Sequence, residues 1–117
     1  MNSLDDLKSS IIGQFGTPCS VIDLDIVKSN IQRAQKICDA AGVANRPHIK
    51  THKSPVLAKM QINAGARGIT CQKLGEAEVM AKAGIDDILI ATNILGAARS
   101  GRLASLQKKL SLKVCAD

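Results

Sequence analysis

Apolar, strand-like segments open near positions 46, 68, 88 and 112, and the stretches between them carry helical periodicity. A repeat of about twenty residues is the rhythm of a parallel sheet with helical crossovers. Two architectures share it. A doubly wound open sheet closes at this length, whereas a (β/α)8 barrel needs at least about 200 residues. The 117 residues stop at Asp117, on or just past a buried-looking strand, where an open-sheet domain would finish on a covering helix. The expected fold is therefore α/β, a partial (β/α)8 TIM-type barrel.

Local signals set the elements. A short leader with helical character precedes residues 17–24 (TPCSVIDL), which read as a strand entered through a proline. Asp25 is the expected cap of an amphipathic helix whose stripe is Val27, Ile31, Ala34, Cys38 and Ala41, ended by Gly42. Residues 46–52 form the next expected strand. Ser54-Pro55 is a helix start, serine as N-cap and proline at the first helical position. Leu57, Met60 and Ala64 give that helix its stripe, and Gly65 stops it. Residues 68–72 are a strand, 74–83 a helix with Ala77, Met80 and Ala81 inward and Gly84 as its stop, and 87–92 a strand. Leu103, Leu106 and Leu110 mark a further helix before a strand over 112–117.

Composition, 45% hydrophobic and 22% charged, is that of a globular, soluble chain. No apolar run approaches the roughly 18 to 20 residues that span a bilayer, and MNSLDDLKSS has neither basic leader nor apolar signal core. A cytoplasmic protein with no membrane partner is expected. Cys19, Cys38, Cys71 and Cys115 lie far apart among apolar residues, so reduced, buried thiols are expected rather than disulfides or a zinc site. The net charge of +6 does not point to nucleic acid: Phe15 is the one aromatic residue, which leaves no stacking platform, and the cations crowd toward the end of the chain.

The segment RPHIKTHK, residues 46–53, carries the chemistry. Strand alternation puts His48, Lys50 and His52 on one face and Pro47, Ile49 and Thr51 on the other. A lysine amine is a nucleophile when neutral, and desolvation or neighbouring cations favour that form. Arg46, Lys53 and the histidines are such neighbours, and the chemistry suited to this lysine is a Schiff base with a carbonyl, including the aldehyde of pyridoxal phosphate. Other readings stay open: a solvated edge strand, histidines as satisfied core groups, or a phosphate cradle formed by Lys53 and the amides opening the Ser54 helix. Alternation also aligns Gly68, Thr70 and Gln72 on one face, with Ile69 and Cys71 toward the helices. Glu76 and Glu78 read as a solvated helix face that complements the helix's positive end. Asn93 is a candidate for facing the site and Gly96 for a turn.

RPHIKTHK, ITCQKLGEAEVMAKAG, DILIATNILG and the earlier TPCSVIDLD together closely resemble the amino-terminal part of the D-threonine aldolase and D-serine dehydratase family. These are fold-type III pyridoxal-phosphate enzymes with the barrel domain of alanine racemase. The resemblance implies that Lys50 forms the covalent link to pyridoxal 5'-phosphate, that Gln72 lies beside the cofactor, and that at least one of His48 and His52 is near it. It implies no metal ligand in this chain; a divalent metal, where present, is held near the carboxyl terminus of longer relatives. It implies a D-amino acid substrate and a homodimer. Residues 1–24 would then be a leader and a strand at the junction with a second domain, and residues 25–117 the first half of the cofactor-binding barrel, truncated and inactive alone, with exposed edges prone to aggregation. The alternative is a non-catalytic barrel that carries pyridoxal phosphate and maintains its supply.

Overall fold

The computed structural model describes residues 3–117; Met1 and Asn2, the start of the expected leader, lie outside the described residues. Helices α1 (Leu4–Phe15), α2 (Leu24–Ala40) and α3 (Pro55–Asn63) precede strand β1 (Ile69–Cys71). Then α4 (Leu74–Lys82), β2 (Asp87–Ile90), α5 (Ala97–Gln107) and β3 (Ser111–Val114) alternate. The strands are parallel, in sequential order β1-β2-β3. Register places Thr70 beside Leu89 and Leu89 beside Lys113, one row across the sheet.

One face of the sheet makes the core. Ile69, Cys71, Ile88 and Ile90 are fully buried, joined by Ile49 and by Ala58, Leu74, Ala77, Met80 and Leu106 from the helices. Along β2 the period of two is plain: Ile88 and Ile90 are buried, Asp87 and Leu89 half-buried. Helix starts follow the expected chemistry. The Ser54 hydroxyl accepts the Leu57 N–H with Pro55 in the first turn, and Gly42, Gly65 and Gly84 leave their helices with positive φ.

The structure departs from the sequence reading at several places. Residues 17–23 are not a strand: among the described residues they have no sheet partner, and Val21 and Ile22 are exposed. The cap of α2 is Asp23, whose carboxylate accepts the N–H groups of Asp25 and Ile26. Its inward residue is Gln35, which accepts from Asn45, donates to Asp39 and sits against Gly65, while Ala34 and Ala41 are exposed. Residues 46–52 make a single parallel bridge, His48 to Thr70, before the chain turns. The rings of His48 and His52 each accept a backbone N–H two residues on, which diverts the chain from the ladder. Of the four free cysteines only Cys71 is buried; Cys38 is half-buried, Cys19 is exposed in the segment 17–23, and Cys115 is exposed just past β3 although its N–H donates to the Ile90 carbonyl. Helix α1 buries no residue, so Leu4, Leu7, Ile12 and Phe15 remain exposed.

Candidate active site

Lys50 follows a fully anchored residue. Ile49 is buried and donates its N–H to the Thr70 carbonyl, 2.9 Å, which fixes the chain to β1. Lys53 then donates its N–H to the Ile49 carbonyl, 2.8 Å, closing a one-turn loop around Lys50. Lys53 closes it with φ of 50°, the left-handed region that a side chain disfavours. Lys50 itself is exposed.

Beside it, His48 Nδ1 accepts the Lys50 N–H, 3.2 Å, so the ring proton resides on Nε2. Nε2 faces the Gln72 Oε1 at 3.3 Å, donating to it. Gln72 ends β1, and its backbone is held on both sides: its N–H donates to Glu76 Oε2, 2.8 Å, and its carbonyl accepts the Thr92 hydroxyl, 2.7 Å. Lys50, His48 and Gln72 thus share the carboxyl end of neighbouring strand segments, where parallel α/β folds place their chemistry.

His52 goes elsewhere. With residues 50–52 in a turn, strand alternation no longer governs its direction. Its Nδ1 accepts the Ser54 N–H, 3.0 Å, leaving Nε2 buried toward Gln61 on α3. The His52 Nε2 and Gln61 Oε1 atoms miss hydrogen-bond geometry yet still attract one another. Burial pushes the ring below the usual histidine pKa, and Gln61 offsets part of that.

The two cations expected beside Lys50 are both engaged by carboxylates. Lys53 Nζ pairs with Glu76, and Arg46 Nη1 pairs with Asp87, 2.7 Å. Lys113 Nζ meets the same Asp87 oxygen at 2.8 Å. The Arg46 and Lys113 groups hold the Asp87 carboxyl down to about 2, the Arg46 hydrogen bond leading, against the opposing effect of burial. This triad lies at the amino end of the strands, away from Lys50, and sequence reading did not find it. Gly68 is its signal in retrospect: a Cβ there would collide with the Asp87 carbonyl and the Arg46 guanidinium.

The expected solvated pair on α4 is also revised. The Glu76 side chain is 11% exposed; burial would raise its pKa, but Lys53 and the Gln72 N–H outweigh that and lower it. Glu78 instead reaches Arg102 on α5. Asn93 is exposed, and Gly96 turns the chain into α5 with φ of 90°. Cavities of about 920 Å³ between α4 and α5 and about 280 Å³ between α5 and β3 are present, and neither is lined by Lys50, His48 or Gln72. Among the described residues no cluster of three or more histidine, cysteine or acidic side chains has metal-holding geometry, and no helix is long and apolar enough to cross a membrane.

A parallel, sequentially ordered α/β segment with a lysine closing its first strand-like segment defines a recognisable class, and the comparisons place it. Residues 22–115 match the alanine racemase N-terminal domain, and the chain belongs to that family. It is 40% identical over 106 residues to a D-threonine aldolase of an Arthrobacter species, covering 91% of this chain and 28% of that protein. It is 51% identical over 78 residues to a D-threo-3-hydroxyaspartate dehydratase of a Delftia species, covering 67% of this chain and 20% of that one. The solved D-threonine aldolase of Filomicrobium marinum superposes with a TM-score of 0.85 at 40% identity, over 86% of this chain and 27% of that one. The chain thus spans roughly a quarter of the length of these relatives.

Proposed function

We propose that this chain is the Lys50-bearing part of a pyridoxal-phosphate-dependent lyase acting on D-3-hydroxy amino acids, by aldol cleavage or dehydration. The single observation that carries the reading is Lys50 on a closed turn at the strand ends, its backbone N–H donated to the His48 ring that meets Gln72. A primary amine with an imidazole–amide pair close by would suit an aromatic aldehyde cofactor held covalently at Lys50. The sequential strand order and the match to the alanine racemase N-terminal domain favour a partial (β/α)8 barrel over residues 25–117; residues 1–24 would be the leader and domain junction.

The chain's own residues have definable tasks. Lys50 would supply the amine that holds the cofactor and, when free, a base at that position. His48 keeps its proton on Nε2 and delivers that N–H to Gln72, so both side chains are oriented before anything binds. Pyridoxal phosphate, when bound, supplies the sink for the electron pair left on Cα. Any divalent metal would be held by ligands outside these residues. The complete protein is expected to be a cytoplasmic homodimer.

The test uses the complete gene product loaded with pyridoxal phosphate. Absorption near roughly 420 nm, borohydride reduction and mapping of the modified lysine report the link. Label on Lys50, lost in Lys50→Ala, is expected; label on another lysine removes the assignment. Incubation with D-threonine, D-serine and D-3-hydroxyaspartate then separates cleavage to glycine from release of a keto acid. Label at Lys50 with no turnover of any of them would favour a non-catalytic carrier of the cofactor.

A further inference from the structure

One carboxylate touches both halves of the site. Glu76 Oε2 accepts the Gln72 N–H at 2.8 Å and the Lys73 N–H at 3.4 Å, and Oε1 pairs with the Lys53 ammonium. Gln72 carries the amide that meets His48, and Lys53 is the residue whose N–H closes the turn around Lys50. The turn is therefore anchored at one end by buried Ile49 and at the other by an ion pair to α4.

Two observations argue that this is more than a helix cap. A cap needs the Lys73 N–H, yet that contact is the longest of the Glu76 bonds, and the shorter ones go to groups on either side of the site. Lys53 is also held in the left-handed region, a conformation that persists where surrounding contacts over-determine it. The Lys53 side chain is 59% exposed, so its ion pair adds little to global stability. What it fixes is where the turn sits.

We propose that Glu76 is a positioning residue: through Lys53 and Gln72 it sets the Lys50 amine against the His48–Gln72 pair. The proposal rests on the Lys50 reading above. Loosening the Lys53 end leaves Ile49 and β1 in place but lets the Lys50 turn move relative to Gln72. Misplacement of a reacting group by about 1 Å costs on the order of a hundredfold in rate, so partial loosening should cost about tenfold.

The experiment follows pyridoxal capture in the complete gene product by timed borohydride trapping at Lys50, together with amide hydrogen exchange of residues 50–53 and thermal melting. Lys53→Met and Glu76→Gln are expected to slow capture about tenfold each, with the double variant no slower than either alone. Exchange at residues 51–53 should quicken while the melting temperature of Lys53→Met stays close to that of the wild type. Lys53→Arg, which keeps the ion pair, should restore capture, and Glu78→Gln, on the same helix but paired with Arg102, should leave it unchanged. If Glu76→Gln does not fold, the Lys53→Met and Lys53→Arg pair carries the test alone. Wild-type capture in Lys53→Met, or multiplying effects in the double variant, overturns the positioning role while the Lys50 assignment stands. A wild-type protein that takes no label at Lys50 overturns both.

Discussion

Arg46 and Asp87, 41 residues apart in the chain, meet with Nη1 and Oδ1 at 2.7 Å and tie the approach to the Lys50 turn to the first residue of β2. Lys113 on β3 joins from the far side. Three neighbouring segments are thus held by one half-buried carboxylate, at the strand end opposite the proposed chemistry. Because the carboxyl is depressed to about 2, its contribution to stability is fully present above the unfolded aspartate value near 4 and is lost as pH falls toward 2. Asp87→Asn is expected to lower the unfolding free energy at neutral pH by about 1 to 2 kcal/mol, less than the full depression of the carboxyl implies because water screens its exposed side. Denaturation curves between pH 6 and 2 check it: the variant should lose less stability on acidification than the wild type.

The same triad fixes a glycine. A Cβ at Gly68 would lie 2.9 Å from the Asp87 Cβ and closer still to the Asp87 carbonyl and Arg46. These are backbone and engaged groups, so relief requires β1 and β2 to shift or Arg46 to leave. Gly68→Ala is expected to destabilise by about 1 to 3 kcal/mol, the usual cost of overpacking. Combined with Asp87→Asn its effect should be less than additive, because the ion pair it displaces is already gone. Urea denaturation of the two single variants and the double variant reads the coupling directly.

What the sequence disclosed follows from how far its signals reach. Ser54-Pro55, the glycines after three helices and the alternation of Ile88 and Ile90 act over a few residues, and each appears where expected. The placing of residues 46–52 in a strand failed beyond His48 because two imidazoles compete for the backbone locally, a choice that β-propensity does not express. Residues 17–23 have strand composition, but among the described residues no strand lies beside them. Gln35, Glu76 and Asp87 were missed as buried or engaged groups because their partners lie 10, 23 and 41 residues away, and a polar residue on a helix reads as solvated until those partners are known. Within the candidate site, His48 and Gln72 are brought together with the Lys50 backbone, and the ring of His52 is directed to α3.

His52 has its own signature. Its Nδ1 is occupied as an acceptor and its Nε2 is buried, so the fold holds the neutral ring and its pKa lies below the ordinary value near 6.5. The unfolded chain takes up a proton first as pH falls; the contribution of the neutral ring is therefore complete above about 6.5 and declines as pH drops below it toward the folded value. His52→Asn should flatten the stability profile between about pH 7 and 5, and NMR of the ring should show it titrating below His48-independent reference histidines in unfolded peptide. A ring that titrates at or above the peptide value would mean that Nε2 reaches water.

Thiol chemistry gives a check on the core that is independent of the proposed reaction. Cys71 is fully buried on β1, and burial, followed by the nearby Glu76 charge, pushes its thiol up to about 12. Only the thiolate alkylates readily, so at neutral to mildly basic pH Cys71 is doubly protected, by access and by protonation. Cys19 and Cys115 are exposed and Cys38 is half-buried. Iodoacetamide labelling followed by peptide mass spectrometry should modify Cys19 and Cys115 first, then Cys38, and reach Cys71 only at the rate of opening of the β1–β2 core. Glu76→Gln should leave that order intact, since desolvation is the larger cause. Labelling of Cys71 at a rate comparable to Cys115 would show that the sheet does not bury its inner face against α3 and α4.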